Sequence, residues 1–242
     1  MIKKNIAIFL DNDHYFSLIF LNFFFKAKNK NNYIVFLGKE FLNFKRILIS
    51  FKILSLKQFL FISFNVFKNK ISGQVQNYLK KEKVAFYDNL DINSLEVLSV
   101  LKKNNIKDCL SIINSQIFKK KKYKNFNIYN LHLGKIPEFK GIVPIINAYI
   151  KGQKVFYSTV FKISFKGIDS GDIIFQSNIK LSQCSNLFNV YEKLYSKGFK
   201  DIKDLSVKIE LNKRVRKQKV KQKFSNYYSY PNLSEILKLK RF

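Results

Sequence analysis

The chain has 242 residues, of which 47% are hydrophobic, enough for one large folded domain or for one domain with an extension. The formal net charge of +29 at pH 7 favours anionic partners, nucleic acid among them. The alternative is compositional drift, in which lysine accumulates at surface positions without any role in binding. The two cysteines, Cys109 and Cys184, exclude a disulfide framework and lack the spacing of a metal site, so we predict a cytoplasmic protein without a bound metal.

The first part of the chain alternates predicted strands with predicted helices. After the first strand, His14 and the polar residues before it suit a turn and a helix cap, although His14 with its two neighbouring aspartates could instead form a metal or acceptor site. The predicted strands are 5–10, 33–37, 84–87 and 108–113, and the predicted helices are 15–27, 91–103 and a short one beginning at 119–122.

The region from Phe41 to Phe67 is apolar but punctuated by lysines. Its longest uncharged piece is shorter than the ~20 apolar residues that span a bilayer, so we predict no transmembrane segment. We expect a core helix and strand here. The alternative is a basic amphipathic segment that lies on an anionic membrane.

The central strand ends in polar residues. Its alternation places Asn130 and His132 on the same face, and Gly134, Pro137 and Gly141 then break the strand and turn the chain. Polar side chains at the carboxyl end of a strand lie where open α/β sheets bind ligands. Taken alone, the pair is also typical of a turn former and a core histidine.

Further strands and helices follow the central strand. A loop at 164–168 leads to Asp169, and we predict that the helix 187–198 ends on Gly198. The alternation predicts a mostly parallel, doubly wound α/β sheet. The predicted helices are 143–150 and 187–198, and the predicted strands are 156–163 and 173–179.

The composition shifts near the C-terminus. We predict one α/β domain at 1–205 and a basic C-terminal extension at 206–242. The extension contains a basic run at 213–223 and an aromatic segment at 227–230, followed by a helical tail. Basic residues interleaved with aromatic ones could bind phosphate groups, or they could fasten the tail to the domain.

Several motifs resemble the signature of the folate-dependent formyltransferases. This family includes methionyl-tRNA, glycinamide ribonucleotide and sugar-nucleotide amine formyltransferases. The sequence departs from its pattern at Gly134, where the family often has serine. The motifs that carry the resemblance are Asn130-Leu131-His132, Ile136-Pro137, Lys140-Gly141, Pro144-Ile145 and Ile168-Asp169-Ser170-Gly171-Asp172-Ile173-Ile174.

The resemblance implies a Rossmann-like fold and transfer of a formyl group from 10-formyltetrahydrofolate to a primary amine. It implies that Asn130 and His132 stabilise the developing oxyanion, and that Asp169 supports the imidazole and relays a proton. It also implies that two loops contact the folate. These loops contain Gln116, Ile117 and Phe118, and Phe165, Gly167 and Ile168.

The predicted acceptor is an amino-sugar nucleotide or methionyl-tRNA. The chain has little room for the extra β-barrel that methionyl-tRNA formyltransferases usually carry, which favours the sugar nucleotide, whereas the charge favours RNA. A hydrolase of the same family would use water instead of an amine. The alternative from another class is a noncatalytic basic module of this fold that binds RNA or an anionic membrane, and the oligomeric state is left open.

Overall fold

The computed structural model describes residues 4–12, 14–26, 30–38, 44–88, 90–216 and 226–239. A short 3-10 turn covers Leu181–Gln183. The strands are β1 (Ile6–Asp11), β2 (Tyr33–Gly38), β3 (Ala85–Tyr87), β4 (Asp108–Ser111), β5 (Asn127–His132), β6 (Lys140–Gly141), β7 (Val155–Ile163), β8 (Gly171–Lys180) and β9 (Tyr227–Tyr228). The α-helices are α1 (Tyr15–Phe25), α2 (Phe44–Ile53), α3 (Leu56–Ser72), α4 (Gln74–Lys81), α5 (Leu95–Lys103), α6 (Lys120–Tyr123), α7 (Pro144–Ile150), α8 (Leu187–Glu210) and α9 (Leu233–Leu237).

The seven longer strands have the hydrogen-bonded order β3-β2-β1-β4-β5-β7-β8. Strand β1 pairs in parallel with β2 and β4, β2 pairs in parallel with β3, and β4 pairs in parallel with β5. Strands β7 and β8 pair antiparallel, with an irregularity between Val160 and Phe161. The predicted mostly parallel α/β sheet is therefore confirmed, with an antiparallel hairpin of a kind that often occurs at the edge of such sheets.

The chain divides into two compact units. The first contains residues 1–41, 64–130 and 202–216, and the second contains 42–63, 131–201 and 217–242. Strand β5 passes from the first unit to the second after Asn130. The predicted boundary at 205 falls inside helix α8, and the division into a domain and an extension stays a prediction.

The first unit is built around aromatic side chains of its parallel strands. All six residues of β1 are buried, as expected for a strand with partners on both edges. The Phe9 ring stacks on Phe36 at 5.0 Å between centroids and meets Phe118 edge-on at 5.1 Å. This packing fixes the strands whose carboxyl ends form the predicted ligand edge.

The second unit has its own apolar core, in which Ile136 packs with Phe161 and Ile173. Helix α8 does not end at Gly198 as predicted but continues through Glu210. A Cβ at Gly198 would lie 2.5 Å from Leu131 Cδ1 and 2.7 Å from Ser158 Oγ. The glycine therefore allows close packing against α8, and close packing rather than helix termination explains its position.

The region between β2 and α4 differs from the expected core helix and strand. It forms two helices, α2 and α3, and α3 buries only the polar Asn69 of its 17 residues. The apolar side chains of α3 are half-buried or exposed, and none of them is fully buried. Among the residues that the structure describes, none of the helices combines the length and apolar content of a bilayer-spanning segment.

Candidate active site

The imidazole of His132 and the carboxylate of Asp169 lie together in the second unit. His132 is the last residue of β5, and its Nδ1 atom is 3.6 Å from Asp169 Oδ2. The histidine is buried and the aspartate is mostly buried. In such a setting the carboxylate stabilises a positive charge on the ring more strongly than it would in water.

The second ring nitrogen of His132 contacts a backbone carbonyl. Its Nε2 atom lies 2.7 Å from the carbonyl oxygen of Phe139. A carbonyl oxygen only accepts hydrogen bonds, so Nε2 carries the proton in this contact and Nδ1 is the basic nitrogen of the neutral ring. The Phe139 carbonyl thus fixes the tautomer of the neutral ring.

Gly134 is the position where the resembled family often has serine. A Cβ here would lie 2.6 Å from both His132 Nε2 and the Phe139 oxygen, and 2.8 Å from Pro144 Cβ. Contacts this short do not occur between real atoms of these types. The missing side chain therefore leaves the space in which the imidazole reaches the carbonyl group.

Asp169 is held by a loop that closes on itself between β7 and β8. Its backbone adopts the left-handed conformation, with φ of 46°, which is uncommon for a residue other than glycine. Ser164 N donates to the Ser170 carbonyl at 2.9 Å, and Ser170 Oγ donates to the Gly167 carbonyl at 2.7 Å. The Asp169 carboxylate also accepts a 2.7 Å hydrogen bond from Gly141 N.

The aromatic segment near the C-terminus pairs with the chain that follows Phe139. Strand β9 runs parallel to β6, with Tyr227 opposite Lys140 and Tyr228 opposite Gly141. The Tyr228 ring stacks on Phe139 at 5.4 Å, with 17° between the ring planes. The segment therefore fastens the loop that supplies the carbonyl for His132, while 217–223 of the basic run lie outside the described residues.

Asn130 precedes His132 by two positions on β5. It belongs to the first unit, where it is half-buried and lies opposite Ser111 of β4 in the parallel register. Neighbours two apart on a strand point to the same face, so the backbone gives the amide and the imidazole a common direction. The catalytic role of this amide stays a prediction.

The first predicted folate loop uses most of its side chains within its own unit. The Gln116 amide donates to the Leu90 carbonyl and accepts from Ile92 N, both at 3.0 Å. Phe118 is buried and meets Tyr123 edge-on at 4.9 Å. Among these three residues, Ile117 alone is exposed, with 66% of its surface accessible.

The second predicted folate loop presents an exposed Ile168, next to Asp169. Gly167 is also exposed, and Phe165 is half-buried with φ of 55°. Folate contacts by either loop are a prediction. The loop geometry leaves one apolar side chain on each, Ile117 and Ile168, open to an apolar ring.

His14 caps helix α1, since its Nδ1 atom accepts a hydrogen bond from Phe16 N at 3.2 Å. The capping interpretation therefore describes its observed contact, while Asp13 lies outside the described residues. Across those described ranges, no group of three or more His, Cys, Asp or Glu side chains is arranged to hold a metal ion. Cys109 and Cys184 are both free thiols.

Sequence patterns did not reveal two parts of the site, the Phe139 carbonyl and the β9 segment. Every residue has a backbone carbonyl, so composition cannot indicate which one will meet an imidazole. The β6–β9 pairing joins residues far apart in the chain, and each strand has only two residues. The one available signal was the aromatic run at 227–230, which was compatible with fastening the tail.

Fold and site together define a Rossmann-like α/β protein with a histidine–aspartate pair at the end of a central strand. Residues 94–202 match the formyl transferase family. The predicted resemblance is confirmed.

The sequence is similar to methionyl-tRNA formyltransferases. It is 38% identical over 71 residues to the protein of Fervidobacterium nodosum, covering 29% of this chain and 23% of that protein. It is 35% identical over 122 residues to the protein of a Hydrogenobaculum species, covering 48% of this chain and 40% of that protein. The chain thus matches less than half the length of each relative.

The fold is similar to solved N-formyltransferases. A 4-N formyltransferase from Francisella tularensis superposes with a TM-score of 0.62 at 19% identity, covering 93% of this chain and 76% of that one. The N-formyltransferase from Helicobacter canadensis, solved with folinic acid and dTDP-3-aminofucose, gives a TM-score of 0.56 at 21% identity, covering 94% and 71%. At these identities the likeness supports the fold.

Proposed function

We propose that this protein transfers a formyl group from 10-formyltetrahydrofolate to a primary amine. The observation that carries the proposal is the 3.6 Å approach of His132 Nδ1 to Asp169 Oδ2, within a segment that matches the formyl transferase family. At this distance the carboxylate can act on the imidazole directly or through one water molecule, which supports the proposal.

In this proposal, Nδ1 of His132 accepts the proton that the acceptor amine loses as its nitrogen attacks the formyl carbon. Nε2 is engaged by the Phe139 carbonyl, so Nδ1 is the ring atom with a lone pair to offer. The carboxylate of Asp169 stabilises the imidazolium ring, and His132 returns the proton to the folate nitrogen as the bond between that nitrogen and the formyl carbon breaks. The hydrogen bond from Gly141 N holds the orientation of the Asp169 carboxylate.

The amide of Asn130 is proposed to donate to the formyl oxygen, where negative charge develops. A preorganised donor of this kind contributes about 3 kcal/mol to lowering a barrier of acyl transfer. The folate donor supplies a formyl group already activated on nitrogen, so no covalent protein nucleophile is required. The burial of Cys109 in the apolar core agrees with this, because burial raises the pKa of its thiol well above the ordinary range.

Folate binding is proposed for the loop residues named from the sequence, with the exposed Ile117 and Ile168 as the apolar contacts. For the acceptor we propose an amino-sugar nucleotide or methionyl-tRNA. Both carry phosphate, which suits the formal net charge of +29. We propose a cytoplasmic location, in keeping with two free cysteines.

The test is a formyl-transfer assay with purified protein, 10-formyltetrahydrofolate and a panel of acceptors, in which tetrahydrofolate release is followed. The panel contains nucleotide-linked amino sugars and methionyl-tRNA, and we expect one of these classes to be formylated. His132→Ala should reduce transfer at least 100-fold. His14→Ala is the matched control, because it removes the chain's other histidine and costs only a helix cap, about 1 kcal/mol.

Three results would contradict the proposal. The first is tetrahydrofolate release that does not depend on any amine, which would indicate hydrolysis. The second is equal activity of His132→Ala and His14→Ala. The third is absence of folate binding together with RNA binding that weakens steeply with salt, which would favour the noncatalytic basic module.

A further inference from the structure

Helix α3 carries an apolar stripe that the described part of the chain leaves exposed. Phe64 and Phe67 are 64% and 62% exposed, and the other members of the stripe are between 58% and 71% exposed. Globular proteins usually bury side chains of this kind, and a contiguous exposed patch marks a surface that binds something. The stripe consists of Leu56, Leu60, Phe64, Phe67 and Ile71.

The five side chains lie on one face of the helix. Their spacing of four, four, three and four residues keeps them within an arc of about 80°, at about 100° of rotation per residue. The helix has 17 residues and is about 26 Å long, so the stripe extends along nearly its full length. Asn69 is the one fully buried residue of α3, the apolar Phe59, Ile62 and Val66 on the same side are half-buried, and the stripe is the exposed side of the helix.

Lysines flank the stripe on both sides. On a helical projection, Lys57 and Lys68 lie beyond one edge of the stripe and Lys70 lies beyond the other. No Asp or Glu occurs from Phe44 to Ser72, a stretch with six basic residues that includes helix α2. An apolar face bordered by long cationic side chains is the pattern of helices that lie in a membrane interface.

We propose that α3 binds an anionic lipid surface. In this arrangement the apolar stripe enters the boundary between headgroups and acyl chains, while the flanking ammonium groups contact lipid phosphates. The helix lies parallel to the surface. The inference concerns a surface that the formyl-transfer chemistry does not use, so the two proposals stand or fall separately.

Two other partners fit the observations less well. A second copy of this chain would bring two stretches of uniformly positive charge together, and like charges across an interface oppose pairing. RNA would match the charge but not the stripe, because leucine and isoleucine side chains cannot stack on bases as aromatic rings do. An anionic lipid surface satisfies both the charge and the apolar face.

The first experiment measures sedimentation of the full chain with vesicles of phosphatidylcholine alone or of phosphatidylcholine with phosphatidylglycerol. We expect at least tenfold stronger binding to the anionic vesicles, and a further loss of at least tenfold in Phe64→Glu/Phe67→Glu. The charge-matched control is Leu95→Glu/Leu233→Glu. Both leucines are exposed at the first position of a helix, where a carboxylate is well tolerated.

The second experiment separates insertion of α3 from simple adsorption of a cationic protein. The chain contains no tryptophan, so Phe67→Trp introduces a unique fluorophore into the stripe. Its emission should shift to shorter wavelength on anionic vesicles, whereas that of Leu95→Trp should not. Circular dichroism of each variant establishes that the helices are retained.

Three outcomes would overturn the proposal. In the first, the two double-glutamate variants bind vesicles equally well. In the second, Phe67→Trp gives no spectral shift on vesicles to which the protein sediments. In the third, the wild-type chain does not sediment with anionic vesicles but forms a dimer, or binds RNA, that Phe64→Glu/Phe67→Glu abolishes.

Discussion

Replacing Gly134 with alanine tests directly how the imidazole of His132 is held. The added methyl group would lie 2.6 Å from His132 Nε2 and from the Phe139 carbonyl oxygen, and 2.8 Å from Pro144 Cβ. The Phe139 oxygen belongs to the backbone, Pro144 Cβ to a rigid ring, and the buried imidazole is held by its contact with that oxygen. The ring or the backbone must therefore move to make room.

The cost has two parts. Overpacking a well-packed site costs about 1–3 kcal/mol. Losing the 2.7 Å contact between the imidazole and the Phe139 carbonyl leaves a buried polar group unsatisfied, which costs about 1–3 kcal/mol more. We expect the free energy of unfolding to fall by about 2–6 kcal/mol, which lowers the melting temperature by about 4–24 °C in a chain of this size.

Activity should fall as well, because a catalytic group displaced by about 1 Å loses on the order of 100-fold in rate. Thermal denaturation followed by circular dichroism and the formyl-transfer assay measure the two effects. Gly152→Ala is the control, since a Cβ there meets no atom within 4 Å, although φ is 75°. That variant should lose about 1 kcal/mol through backbone strain and keep its activity.

The reasoning about Gly134 would be refuted by a variant that melts within about 1 °C of the wild type and transfers formyl groups at the wild-type rate. Such a result would mean that the imidazole does not depend on the Phe139 carbonyl. A variant that is destabilised but fully active would keep the steric part of the argument and reject its catalytic part.

Three further predictions concern the site and the thiols. Asp169→Asn should lower formyl transfer about 100-fold or more, because a neutral amide cannot stabilise the imidazolium ring, while Asp172→Asn, on the exposed side of β8, should stay within about twofold of wild type in the same assay. Tyr228→Ala should remove a ring stack worth about 0.5–1.5 kcal/mol, lower the melting temperature by about 1–6 °C and reduce kcat more than it raises KM for folate; an unchanged melting temperature and kcat would argue against the role of β9. Cys109 should react with a thiol reagent only after denaturation, because its side chain is buried and burial raises its pKa. Native protein should therefore titrate as about one thiol, Cys184, and because the pKa of Cys184 is also raised, its reaction should become faster as pH rises. Cys184→Ser should abolish the reaction of the native protein.

The sequence was sufficient to predict the framework that positions the site. The alternating pattern that placed Asn130 and His132 on one face corresponds to β5, which ends at His132. The pairing of Asp169 with a histidine far away in the chain was implied by the resemblance to the formyltransferases. The period-two alternation of β5, by contrast, is a local signal that one strand satisfies by itself.

What could not be predicted depends on tertiary packing. Gly198 has the usual sequence signature of a helix end, but its lack of a side chain is used for close packing on Leu131 and Ser158, which no local rule detects. The contact of His132 with the Phe139 carbonyl depends on the exact path of a turn. A core helix was expected in the region that contains α3 because hydrophobicity predicts burial, whereas the five residues of the α3 stripe are more than half exposed.

The outward face of α3 has a practical consequence for handling the protein. Exposed leucine and phenylalanine side chains favour aggregation and adsorption to plastic as the protein concentration rises. Repulsion between the cationic surfaces reduces this aggregation only in part. Low amounts of mild detergent, or lipid nanodiscs, should raise the yield of monodisperse material during preparation. For the same reason, Phe64→Glu/Phe67→Glu should crystallise more readily than the wild-type chain.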